Sequence, residues 1–141
     1  MLRSHARSAK TLLAVSALVA VAACGGGSSA ADNPTTPPAS APEPGGVLLA
    51  SVGNAEDPEA YDIALTGEDG TPVTTLPAGT YTIEVSDPSR IHNWALTGEG
   101  VSVATSVSGT GDETFEVTFV AGDYSYVCDP HPSMNGTITV V

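Results

Sequence analysis

Gly122-Asp123-Tyr124-Ser125-Tyr126-Val127-Cys128-Asp129-Pro130-His131-Pro132-Ser133-Met134-Asn135-Gly136 is the stretch on which the fold of this chain turns. Its first half alternates: as a strand it places Tyr124, Tyr126 and Cys128 on one face and Ser125 and Val127 on the other. If that face is the core, the Cys128 thiol points inward at the end of a strand. The second half is rich in Asp, Pro, Ser, Asn and Gly, which is turn and loop chemistry. It predicts a loop carrying His131, closed by Met134, before a last strand begins at Thr137.

The period of two recurs upstream. Tyr81, Ile83 and Val85 alternate with Thr82, Glu84 and Ser86, and Phe115, Val117 and Phe119 alternate with Thr114, Glu116 and Thr118. Residues 47–52, 61–66, 91–96, 101–107 and 137–141 are further candidate strands. Turn residues separate them at short intervals, as in Gly67-Glu68-Asp69-Gly70-Thr71-Pro72. No window sustains a helical period, so the chain reads as all-β. One echo, Ala78-Gly79-Thr80-Tyr81-Thr82-Ile83 against Ala121-Gly122-Asp123-Tyr124-Ser125-Tyr126, suggests two strands entered by the same turn. Their tyrosines are expected to fold back as in a tyrosine corner.

The N-terminus reads differently. Arg3, Arg7 and Lys10 precede an apolar run over residues 11–23. That run is too short to span a bilayer but suits a secretory signal core, so residues 1–23 are expected to be removed. The run ends Val21-Ala22-Ala23-Cys24, which resembles the bacterial lipobox. The resemblance implies a lipid on the Cys24 sulfur and an extracytoplasmic, membrane-anchored (or periplasmic) location; ordinary secretion is the alternative. Residues 24–45 are almost entirely Gly, Ser, Ala, Thr and Pro, with almost nothing apolar to bury, and read as a flexible linker. Twenty-two such residues reach roughly 25 Å as a coil and about 65 Å as polyproline II. Residues 46–141 are then one domain, long enough for a two-sheet sandwich.

Sixteen acidic residues and one basic residue, Arg90, lie beyond Cys24, a formal charge of −15. Such a surface argues against nucleic acid and anionic lipid as partners. It suits a redox protein with a basic docking face, or plain solubility in a salty medium. A monomer is expected.

With the signal removed, the chain keeps Cys128, His92, His131 and Met134 as its only histidines and methionine and its one Cys besides Cys24. Two imidazoles and a thiolate in a plane, with a weak thioether contact, are the donor set of a mononuclear type 1 copper site. Two histidines are too few for a second copper centre, and no nucleophilic triad can be built once both are committed. A catalytic zinc site keeps an open position that four protein donors would fill. An enzyme is therefore not expected. Taken singly, Cys128 reads as a small buried hydrophobe, Met134 as core filler and His92 as a satisfied core histidine. A Cys24–Cys128 disulfide is a further alternative, which lipidation of Cys24 would exclude. Trp94 reads as core packing or as a neighbour of the site.

The motif Cys-x2-His-x2-Met with Gly two residues on, preceded by Gly-x-Tyr-x-Tyr, resembles the cupredoxins, and the short ligand loop is most similar to amicyanin. The His92-Asn93 pair, 36 residues before Cys128, matches the family's upstream ligand. The resemblance covers about residues 46–141. It implies a Greek-key β-sandwich, one type 1 copper ion held by His92, Cys128, His131 and Met134, and one-electron transfer between protein partners. It also implies that Asn93 braces the two ligand segments and bonds the thiolate through its N–H. Val127 stands where plastocyanins carry a surface Tyr, and the Cys-to-Met spacing is shorter than theirs. His131 is expected to be the partly exposed ligand, rimmed by Pro130, Pro132 and Met134. A copper carrier or store and a metal-free structural module are the other functional readings; the chain has no Met-rich or multi-His segment that would favour a carrier.

Overall fold

The computed structural model describes residues 40–141. The expected signal segment (1–23), Cys24 and the linker up to residue 39 lie outside the described residues. The described chain is all strand and turn, without a helix. The strands are β1 (Val47–Val52), β2 (Ile63–Gly67), β3 (Thr75–Leu76), β4 (Gly79–Asp87), β5 (Ala95–Gly98), β6 (Val101–Ala104), β7 (Gly111–Phe119), β8 (Gly122–Cys128) and β9 (His131–Val140).

They form two sheets, ordered β2-β1-β4-β7 and β3-β9-β8-β5-β6. The chain passes repeatedly from one sheet to the other, as in a Greek-key sandwich. Most neighbours are antiparallel, but β1 runs parallel to β4 and β3 runs parallel to β9. The alternation seen in sequence decides which faces meet. Leu48, Ile83, Val85, Val117 and Phe119 from the first sheet and Leu96, Tyr124, Ile138 and Val140 from the second are buried in one core. Thr82, Glu84, Glu116 and Thr118, at the alternate positions, face outward or half outward.

The internal echo has a physical basis. Gly79 and Gly122 both open a strand with positive φ, 155° and 152°. Two residues on, the buried tyrosines turn back. Tyr81 donates its hydroxyl to the Pro77 carbonyl (3.0 Å) and Tyr124 to that of Val120 (3.0 Å), each four residues upstream. Both are tyrosine corners.

The folded body takes in the end of the segment expected as linker. The Gly45 N–H donates to the Thr80 carbonyl (2.7 Å), and the Pro42 carbonyl accepts the Tyr81 hydroxyl (3.1 Å). Prolines 42 and 44 thus pack on the sandwich instead of belonging to a tether.

Three expected boundaries shift at the end of the sandwich that matters here. The strand expected over 91–96 starts only at Ala95, because Ser89 Oγ accepts the N–H groups of both Ile91 and His92 (3.1 Å each). A side chain has taken the donors a neighbouring strand would have used. The strand expected over 101–107 stops at Ala104, where Thr105 pairs with Trp94 partly through its side chain. The expected loop at 129–136 is instead a two-residue turn, Asp129-Pro130, followed at once by β9.

Candidate metal centre

Two segments converge at this end of the sandwich. The crossover from β4 to β5 carries His92, and the β8–β9 hairpin carries Cys128, His131 and Met134. Cys128 is the last residue of β8, on the core-facing parity, and is a free, fully buried thiol. The tight turn folds the chain straight back, so Cys128 pairs directly with His131. Regular pairing resumes only at Val127 and Asn135, a register shift that leaves Pro132, Ser133 and Met134 outside the ladder. Such a bulge re-aims side chains at a sheet edge, and Pro132, lacking an N–H, suits a bulged position. It lets Met134 drop into the core, only 2 % exposed, in the same buried cluster as Cys128. Met134 is therefore not part of the expected apolar rim around His131; Pro130 and Pro132 are exposed and His131 is half-buried.

His92 is fully buried. Its Nε2 lies 3.2 Å from the Glu59 carbonyl. A carbonyl can only accept, so Nε2 carries the proton and Nδ1 presents its lone pair. That Nδ1 sits 2.9 Å from His131 Nδ1, and Cys128 Sγ lies 3.6 Å from the first and 3.5 Å from the second. Two ring nitrogens and a sulfur are aimed at one point. A triangle with these sides has its centre about 1.9 Å from each corner, against about 2.0–2.1 Å for a metal–imidazole and 2.3 Å for a metal–thiolate bond in zinc sites. A transition-metal ion fits if the corners move outward by a few tenths of an ångström. Among the described residues this is the one cluster of three or more His, Cys or acidic groups with metal-binding geometry. Soft sulfur with two imidazoles, and a buried thioether in the same cluster, is the chemistry of copper more than of a hard cation.

The surrounding polar groups hold the two segments together. Asn93 Oδ1 accepts the Asp129 N–H (2.8 Å), and Asn93 Nδ2 donates to Asp129 Oδ2 (2.8 Å). The bond expected from the Asn93 N–H to the Cys128 sulfur is not among the hydrogen bonds of the described residues. Behind Asn93 lies a buried relay. Trp94 N–H donates to Thr105 Oγ1 (2.9 Å), whose hydroxyl donates to Asp87 Oδ2 (2.6 Å); Asp87 Oδ1 accepts from the Ser89 N–H (3.3 Å). Burial raises the Asp87 carboxyl above its ordinary value and outweighs the Thr105 and Ser89 hydrogen bonds, which pull it down. Trp94 is fully buried and stacks on Tyr126 (centroids 6.0 Å apart, 20° between planes).

Two neighbours of the site escape the sequence pattern, both on the segment between β1 and β2. One is the Glu59 carbonyl, which sets the His92 tautomer. The other is Tyr61, whose ring stands edge-on to His92 (5.2 Å, 78°) and to His131 (4.8 Å, 63°). The sequence pattern places Tyr61 only at the start of a strand; β2 begins at Ile63, and nothing in the local pattern marks its contacts.

Comparison with known proteins agrees with this geometry. The copper-binding plastocyanin/azurin family model matches residues 71–141. No curated protein matches the chain. Solved structures that superpose on it include the copper protein rusticyanin (TM-score 0.50, 18 % identity, 67 % of this chain and 76 % of that one). Others are reduced rusticyanin (0.47, 21 %, 67 % and 78 %) and rusticyanin from Thiobacillus ferrooxidans (0.45, 20 %, 67 % and 76 %). At such identity the structural likeness speaks to the fold, and the family match, over half the chain, speaks to kinship. This chain belongs to the plastocyanin/azurin family of copper-binding proteins.

Proposed function

We propose that the protein is a one-electron carrier whose copper ion is held by His92 Nδ1, His131 Nδ1 and Cys128 Sγ, with Met134 as the weak fourth ligand. The observation that carries this reading is the convergence of two imidazole nitrogens and one sulfur from two distant segments, with separations of 2.9 to 3.6 Å. A bound copper ion supplies the Cu(I)/Cu(II) couple. The chain's own residues supply everything else. Glu59 fixes the His92 tautomer, and Asn93 ties the His92 segment to the Cys128–His131 turn. Burial of Cys128 and Met134 keeps water from both sulfurs, and a site closed in this way would hold either oxidation state with little rearrangement. His131, the half-buried imidazole, is the most exposed of the four side chains. The acidic exterior favours a partner with a basic face, which electrostatic attraction would draw in at low salt.

The finer reading adds location. Lipid on Cys24 and a tether over the residues before Pro42 would hold the domain above the extracytoplasmic face of a membrane, free to reach such partners. Two experiments test these proposals. Potentiometric titration of the copper-loaded domain should show one reversible one-electron step; irreversible reduction with loss of copper would instead favour a carrier or store. Metabolic labelling with a radioactive fatty acid should mark the full chain and not a Cys24→Ser variant; unlabelled wild type would remove the anchor from the account.

A further inference from the structure

Among the described residues, Tyr61 is the exposed aromatic side chain that touches both candidate ligand imidazoles. Its ring is edge-on to His92 and His131, yet it remains 62 % exposed. His92 and Cys128 are fully buried, Met134 nearly so and His131 half-buried, so the Tyr61 ring is the most exposed group in contact with the two imidazoles.

The segment that carries it is built to hold its position. Asn54 Oδ1 accepts the N–H groups of Glu56 and Asp57 (3.1 and 2.8 Å), and Asn54 Nδ2 donates to Asp62 Oδ2 (2.9 Å). Gly53 N–H donates to the Asp62 carbonyl (2.9 Å), closing the base of the loop. Gly53 takes φ +63°, and a Cβ there would lie 2.3 Å from the Pro58 carbonyl oxygen, so the tight path needs glycine. The loop is then pinned to the site: the Glu59 carbonyl accepts from His92 Nε2, and the Glu59 carboxylate lies near the Arg90 N–H (3.4 Å). Glu56, Asp57, Glu59 and Asp62 are all exposed on this one segment, giving the ring a negative surround.

We propose that Tyr61 is the contact residue for electron exchange, where a positively charged, aromatic-faced redox partner stacks and the electron crosses the ring to or from the ligand imidazoles. The proposal rests on the electron-carrier reading above. In the oxidising direction, one electron leaves Cu(I), which becomes Cu(II), and the partner gains it. The phenol ring is neither oxidised nor reduced, and no proton leaves it.

The test uses copper-loaded wild type, Tyr61→Phe and Tyr61→Ala, reduced and mixed in stopped flow with tris(1,10-phenanthroline)cobalt(III), a cationic aromatic one-electron oxidant. Losing the ring should slow the second-order rate about threefold to tenfold, the worth of one aromatic contact in the encounter complex. Tyr61→Phe should react within twofold of wild type, and all three should share one visible band and one potential. Tyr61→Ala reacting as fast as wild type would overturn the proposal. So would loss of the band, or a potential shift large enough to explain the rate, because the ring would then be a support for the site. A wild type that takes up copper without a band would instead sink the electron-carrier reading itself, and this proposal with it.

Discussion

Replacing Asn93 with Ala isolates the clamp between the two ligand segments. The side chain is 2 % exposed and makes two short bonds to Asp129, one to its N–H and one to its carboxylate. A neutral hydrogen bond contributes about 1 kcal/mol, and one to a charged group about 1.5–3 kcal/mol. Asp129 is exposed, so the lower end applies to the second, and the contact to the Thr105 carbonyl at 3.4 Å is too long to add much. The sum is about 2.5 kcal/mol, a large share of a typical domain's stability. For a domain near a hundred residues it corresponds to a fall in Tm of about 10–20 °C. Thermal unfolding of the copper-free domain, followed by circular dichroism, reads it directly. Asp129→Ala should cost less, because it keeps the backbone N–H that Asn93 Oδ1 accepts. The reasoning fails if Asn93→Ala unfolds within about 4 °C of wild type, or if Asp129→Ala costs as much.

Gly136 pairs with Tyr126 across β8 and β9, and a Cβ at 136 would sit 2.2 Å from the phenol ring. Since Trp94 backs that ring, Gly136→Ala should destabilise by about 1–3 kcal/mol in denaturant unfolding, and adding Tyr126→Ala should recover part of the loss. The Asp87 carboxyl, raised by burial, binds its proton more tightly folded than unfolded. Relative to Asp87→Asn, wild type should therefore gain stability as pH falls through the folded-state value toward the ordinary carboxylate range; a relative loss over that window would mean that the anion is the favoured form. Copper at a hundred times its Kd should stabilise the domain by about 2.7 kcal/mol, and an unmoved Tm on saturation would show that the ion binds folded and unfolded chain alike.

Much of this could be read in the sequence because both signals are local in their consequences. Alternation in Tyr81-Thr82-Ile83-Glu84-Val85 directly states which side chains face a core. The ligand types are few enough that His92, Cys128, His131 and Met134 stand out. What stayed hidden depends on partners far away in the chain. Glu59 and His92 are 33 residues apart, and Asn93 and Asp129 are 36 apart; the family resemblance pointed to Asn93, but nothing pointed to Glu59 or Tyr61. Residues 91–94 carry strand-like composition, yet Ser89 captures their N–H groups, a competition between side chain and sheet that propensity does not resolve. The Asp129-Pro130 turn was expected as part of a longer loop because the residues after it are poor strand formers. The bulge at Pro132–Met134 reconciles their composition with β pairing. Strand β3, two residues long, is too short to show any period.

The central claim is that His92, Cys128 and His131 close on one copper ion. Titration of the copper-free domain with Cu(II), followed in the visible region, tests it most directly. An intense thiolate-to-copper band that saturates at one ion per chain, and is lost in Cys128→Ser, is the predicted result. A wild type that stays colourless through one equivalent, or a Cys128→Ser variant with an undiminished band, would contradict it.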